Sequence, residues 1–210
     1  LSHSRQMIPA PEALDRLKAG NARFTAQLRS TSGGASARRP ELTMVQEPFA
    51  IILGCSDARV PAEIIFDQGL GDLFVIRVAG NIVAPSLVGS VEFAAEAFQT
   101  RLVVVLGHSQ CGAVAATIEQ LRRPAAKQSR NLHAIVERVR PSVEALLDTD
   151  VARDPVLLAK KATRANIRAS VDHLRHGSEV LEQLIMSNGL MVVGAEYSVE
   201  TGVVEFFESH

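Results

Sequence analysis

The chain has 210 residues, 47% of them hydrophobic and 21% charged, with a formal net charge of -1 at pH 7. That length allows one substantial core without requiring a second domain, and the composition excludes collagen-like and largely disordered chains. The balanced charge removes the basic footprint that nucleic acid binding needs, and no apolar run approaches the ~18–20 residues that span a bilayer, so neither nucleic acid binding nor membrane insertion is expected.

Residues 1–7 begin without methionine and contain no apolar signal core. A cytoplasmic protein is expected, with a processed exported form as the alternative. From Pro11 onward, Leu14, Leu17, Phe24 and Leu28 recur at the spacing of an amphipathic helix. Gly20 inside that pattern costs ~1 kcal/mol relative to alanine. Residues 30–39, with Gly33-Gly34, read as a loop. Residues 1–40 are therefore expected to form a helical arm and loop on a single domain spanning 1–210.

The remaining 41–210 reads as an α/β core. Apolar runs at 49–53, 73–78, 102–106 and 190–195 show no period-two alternation, as expected of parallel strands covered on both faces. Helical stretches near 62–66, 86–99 and 111–121 lie between them, so a mostly parallel sheet flanked by helices is predicted. Long helical patterns at 131–147 and 155–187, with Pro141, Pro155 and Gly177 as breakers, make a helical subregion of about 130–187. Tyr197, the turn signal Thr201-Gly202 and the run 203–207 predict a hairpin that adds an antiparallel edge strand. Arg38-Arg39 and Arg122-Arg123 read as solvated basic pairs.

Chemistry gathers after two of the apolar runs. Cys55-Ser56-Asp57-Ala58-Arg59 follows the first, and His108-Ser109-Gln110-Cys111 follows the third. In open α/β sheets ligands bind outside the carboxyl ends of the strands, so these two segments can converge on one site. Zinc takes thiolate and imidazole ligands in tetrahedral geometry, and a catalytic zinc keeps one of four positions for water. Cys55, His108 and Cys111 supply three ligands. Cys111 should lie at a helix N-terminus, where the helix dipole favours its thiolate. Asp57 competes for the fourth position, with Arg59 placed to restrain it through a bidentate pair.

Plainer readings weigh against each residue singly, since a buried cysteine is usually a small hydrophobe. His-x-x-Cys alone is weak evidence; joined to Cys-x-Asp-x-Arg after a second buried run, it becomes specific. Gly107-His108-Ser109-Gln110-Cys111 imitates a nucleophile elbow but ends in cysteine rather than glycine. Gln68-Gly69-Leu70-Gly71-Asp72 lacks the third glycine of a dinucleotide fingerprint and reads as a turn. His3, His133, His173, His176 and His210 lack partners at metal spacing.

On the runs 54–61, 67–77, 79–81 and 104–114, including Ala79-Gly80-Asn81 and His108-Ser109-Gln110-Cys111-Gly112, the sequence closely resembles the beta-carbonic anhydrase family. The resemblance implies one Zn2+ per subunit on Cys55, His108 and Cys111, with Asp57 and Arg59 as a gating dyad. It implies reversible hydration of carbon dioxide to bicarbonate, with Gln46, Phe74, Ala79, Phe93 and Gly112 lining the substrate pocket, partly from a neighbouring subunit. It also implies a homodimer or a dimer of dimers. Val60, Glu63, Arg77 and Tyr197 match a subclass that bicarbonate switches off, but Ile52 stands where that subclass has tryptophan. A constitutively open site is expected. Hydrolysis of carbonyl sulfide or carbon disulfide on the same site, and a non-catalytic zinc protein closed by Asp57, are the alternatives.

Overall fold

The computed structural model describes residues 8–27, 46–123 and 129–207. The expected helix end at Leu28, the 30–39 loop, Arg38-Arg39, His3 and His210 lie outside the described residues. A five-stranded sheet is built from β1 (Ala50–Gly54), β2 (Leu73–Arg77), β3 (Leu102–His108), β4 (Met191–Tyr197) and β5 (Val204–Phe206), in the spatial order β2-β1-β3-β4-β5. The first four strands are parallel and β5 runs antiparallel to β4. This is the mostly parallel sheet with an antiparallel edge strand that the apolar runs predict.

Every residue of β1 and β3 is buried, because helices cover both faces. Ile51, Leu53, Val103, Val105 and Val192 point to one layer, and Ala50, Ile52, Leu102, Val104 and Val193 to the other. Side-chain direction thus alternates although hydrophobicity does not. On the second face lie α1 (Ala10–Thr25) and α2 (Ala62–Ile65), and on the first lie α3 (Pro85–Ala97), α6 (Pro155–His176) and α7 (Glu179–Asn188). The remaining helices, α4 (Gly112–Arg122) and α5 (Arg130–Leu147), close a smaller apolar cluster that contains Cys55 and Cys111.

Local chemistry sets several helix ends. Asp154 caps α6 by accepting from the Val156 and Leu157 N–H groups at 2.9 and 3.1 Å, with Pro155 in the first turn. Ser178 caps α7 through the Leu181 N–H at 3.1 Å, and left-handed Gly189 ends it. Gly177 and Pro155 thus delimit helices as predicted.

Pro141 does not. Helix α5 continues through it, a correction to its reading as a breaker. Val136, Val139 and Val143 are buried on one side of the same helix, and burying such side chains contributes ~1.5–3 kcal/mol each. That packing offsets the ~3 kcal/mol an interior proline costs. Arg140 reinforces the turn by pairing with Glu137 and Glu144.

Helix α1 explains its own glycine. A Cβ on Gly20 would sit 1.8 Å from the Phe66 carbonyl oxygen, so only hydrogen permits the helix to approach the α2 segment this closely. At the next residue, the Asn21 carboxamide donates to the Ile65 and Gly202 carbonyls at 3.2 and 2.9 Å and accepts from the Val204 N–H at 2.9 Å. Among the described residues, no helix is long and apolar enough to cross a membrane.

Candidate metal centre

The carboxyl ends of β1 and β3 lie side by side, with Gly54 in register with Leu106. Cys55 is the first residue after β1, and His108 is the last of β3. Gln110 adopts a left-handed φ of 56°, turning the chain back so that Cys111 becomes the N-cap residue of α4. The ligand atoms of Cys55, His108 and Cys111 all lie within 4.8 Å of one another, and all three residues are buried.

The histidine is oriented for coordination. Its Nδ1 lies 2.8 Å from the Ser109 carbonyl, which selects the tautomer with the proton on Nδ1 and leaves the Nε2 lone pair free. Nε2 is fully buried and has no hydrogen-bond partner. A buried imidazole nitrogen without a partner is costly, and a cation among the two sulfurs and Nε2 would satisfy it. Two free buried cysteines complete a donor set of thiolates and imidazole that fits zinc.

The adjacent Cys55 and Cys111 thiols are expected to share one proton in the metal-free chain. Cys111 donates toward Cys55, lowering the Cys55 thiol to about 4, with a further contribution from the Gly80 N–H at 3.4 Å. Gly80 has φ 74°, a conformation glycine adopts without strain, and the turn it forms directs this N–H at the sulfur. The same sharing, together with burial, pushes Cys111 far up. The backbone N–H groups of Ala113 and Val114 act in the opposite direction but do not prevail. Cys111 occupies the helix N-terminus as the sequence predicts, with the Ala113 and Val114 N–H groups there favouring its thiolate. At His108, burial opposes the charged ring, yet interaction with the Cys55 sulfur outweighs it and the net shift is upward.

Asp57 stands at the edge of this cluster, its Oδ2 3.9 Å from His108 Nε2. Arg59 holds it away with a fork, Nε to Oδ1 at 2.9 Å and Nη2 to Oδ2 at 2.8 Å, while the Arg59 N–H also donates to Oδ1 at 3.0 Å. These bonds keep the Asp57 carboxyl well below the usual carboxylate range.

The residues expected around a substrate divide into two groups. Gly112 is exposed in the first turn of α4, with open space beside it, and Ala79 adjoins Gly80. Both lie next to the ligands. Gln46 precedes β1, at the opposite end of the strand from Cys55, and Phe74 pairs with Ile51 rather than with the strand end. Phe93 is 55% exposed on α3 and packs with Phe74 and Phe98. Within one chain these three do not join the ligand cluster. Val60 and Tyr197, which match the bicarbonate-sensitive subclass, and Ile52, which departs from it, are all buried.

Arg77 has a role the sequence reading missed. It closes β2 opposite Gly54, and its guanidinium donates to the Cys55 carbonyl at 3.0 Å and the Asp57 carbonyl at 2.5 Å, clamping the loop that carries both side chains. Asn166 and Ser170, polar residues one helical turn apart on the buried side of α6, hold the Gly80 and Asn81 carbonyls at 2.8 and 3.0 Å. Their signal is visible in the sequence as an i, i+4 polar pair on an apolar face.

Fold and site together define a mostly parallel α/β protein with a buried cluster of two cysteines and one histidine, compatible with a metal site, at its strand ends. The family model described as carbonic anhydrase matches residues 50–204. A carbonic anhydrase of Mycolicibacterium smegmatis is 38% identical over 90% of this chain and 89% of its own length. Carbonic anhydrase 2 of Mycobacterium tuberculosis is 37% identical over 89% of this chain and 87% of its own. Among solved structures, a tetrameric beta-carbonic anhydrase of Sordaria macrospora superposes with a TM-score of 0.73 at 22% identity, covering 94% of this chain and 95% of that one, a likeness of fold. The chain belongs to the beta-carbonic anhydrase family, whose members are enzymes of the carbonate dehydratase type.

Proposed function

We propose that the protein binds one zinc ion on Cys55, His108 and Cys111 and catalyses the reversible hydration of carbon dioxide to bicarbonate and a proton. The observation that carries this reading is the convergence of two sulfurs and an unpartnered Nε2, beside a carboxylate already occupied by Arg59. Zinc held there would supply Lewis acidity that brings the pKa of water toward neutrality.

The chain's own residues do the positioning. Asp57, fixed by the Arg59 fork, presents a carboxylate that can accept a hydrogen bond from the attacking water and fix its orientation. Arg77 keeps the backbone of Cys55 and Asp57 from shifting. The exposed first turn of α4 at Gly112 leaves room for a small linear substrate. Water adds its oxygen to the carbon, and its proton departs to solvent buffer.

A non-catalytic closed site would need Asp57 as the fourth ligand, and the engagement of both carboxylate oxygens by Arg59 favours the open, catalytic arrangement. Completion of the pocket by a second copy is part of the same proposal, with Gln46, Phe74 and Phe93 reaching the neighbouring site. The exposure of Phe93 supports it. Stopped-flow hydration of carbon dioxide by zinc-replete protein tests the whole reading. Activity that disappears on chelation and returns with zinc is expected; a zinc-replete protein without hydration activity overturns it.

A further inference from the structure

We propose that Glu200, an exposed carboxylate on the turn between β4 and β5, is a positioning residue that keeps Asp57 off the metal by bracing the Ser109–Gln110 corner against Arg59. The inference rests on the metal centre proposed above.

Glu200 reaches well beyond its own turn. Its Oε2 accepts from Ser109 Oγ at 2.7 Å and Ser198 Oγ at 3.1 Å, and its Oε1 accepts from Gln110 Nε2 at 2.6 Å. The Ser109 hydroxyl accepts in turn from the Val199 N–H at 3.0 Å, and the Ser109 N–H donates to the Tyr197 carbonyl at 2.9 Å. A role confined to the hairpin would need only Ser198, whose hydroxyl already accepts from the Thr201 N–H at 3.1 Å. The bonds to Ser109 and Gln110 instead tie the hairpin to the two residues that separate His108 from Cys111.

That corner is strained and connected. The left-handed φ of Gln110 is one that a residue with a side chain keeps only when its surroundings hold it. Its carbonyl accepts from Arg59 Nη2 at 3.3 Å, and the same Nη2 donates to Asp57 Oδ2 at 2.8 Å. The Arg59 side chain is 46% exposed, and an exposed ion pair by itself contributes little. The Gln110 carbonyl therefore anchors the guanidinium from outside the pair. Without Glu200 the corner relaxes, Arg59 loses that anchor, and Asp57 is released beside His108 Nε2.

The test follows zinc transfer from loaded protein to a colorimetric chelator, alongside kcat/KM, in the wild type, Glu200→Ala, Glu200→Gln and the Glu200→Ala, Asp57→Ala double variant. Glu200→Ala is expected to lose about tenfold in kcat/KM, in the range found for residues that orient metal-site groups. It should also release zinc several-fold more slowly than the wild type, because freed Asp57 closes the fourth position. The slowing should vanish when Asp57 is also removed. Glu200→Gln keeps the shape but must turn an NH2 toward one of its donors, and should shift both readouts in the same direction by less. General damage to the site would accelerate zinc loss. Release from Glu200→Ala at or above the wild-type rate, or slowing that persists without Asp57, overturns the inference. A wild-type protein that holds no stoichiometric zinc overturns the metal centre itself, and is distinguished by measuring metal content first.

Discussion

Arg59 grips both carboxylate oxygens of Asp57 while that carboxylate stands 3.9 Å from the free nitrogen of His108. A planar fork suits this geometry and a single ammonium does not. Arg59→Ala is expected to retain zinc and lose about 10–100-fold in kcat/KM, and Arg59→Lys to recover little of it. Metal analysis with stopped-flow assays checks both; wild-type turnover in Arg59→Ala would remove this residue from the mechanism.

Metal loading should displace protons. With Cys55 lowered to about 4 and Cys111 pushed up, the metal-free pair holds one proton at neutral pH, and zinc must expel it. Affinity should therefore rise with pH, by about tenfold per unit for each proton released. Release is near one per zinc at alkaline pH and increases as pH falls, because the raised His108 must then give up its own proton. Calorimetry in buffers of different ionisation enthalpy counts these protons, and zero release at every pH would contradict the shared-proton arrangement.

Turnover should climb with pH. Two thiolates place more negative charge at the metal than three imidazoles do, so the water they help activate is less acidic. Rates of hydration are expected to increase through the interval from about pH 7 to 9. A flat profile across it would count against the ligand set.

Gly20→Ala should destabilise the fold by about 3 kcal/mol or more, although alanine is the better helix former by ~1 kcal/mol. The added methyl would meet a backbone oxygen rather than a movable side chain. Chemical denaturation provides the value; an unchanged or raised midpoint would show that α1 can shift.

Phe93→Asp tests assembly. A charge placed on the exposed edge of the Phe74, Phe93 and Phe98 group should shift the protein toward monomer in sedimentation experiments and lower kcat/KM with zinc retained. A variant with unaltered assembly and kinetics would detach Phe93 from the site.

The elements were legible where burial is uniform. β1 and β3 appear in the sequence as unbroken apolar runs because both of their faces are covered, and the residues just beyond them carry the ligands. Boundaries failed where polar residues continue an element. Gly107 and His108 extend β3, and Glu196 extends β4 because its charge is paired with Arg164 at 2.6 Å. The metal cluster was readable because thiols and imidazole are rare and distinctive. Arg77 and Glu200 were not, and Asn166 and Ser170 showed only as a polar pair on an apolar face, since each acts through a backbone carbonyl or a neighbouring side chain whose location only the folded chain defines.

The Asn21 carboxamide joins parts of the chain separated by 183 positions. Such contacts delay folding, because the loop between them must close before the bond can form. During synthesis the Asn21 carboxamide therefore stays hydrated until the β4–β5 hairpin leaves the ribosome and supplies the Gly202 carbonyl and the Val204 N–H. Cutting the chain short before Gly202 would cost this N-terminal helix its attachment to the hairpin as well as the last strand.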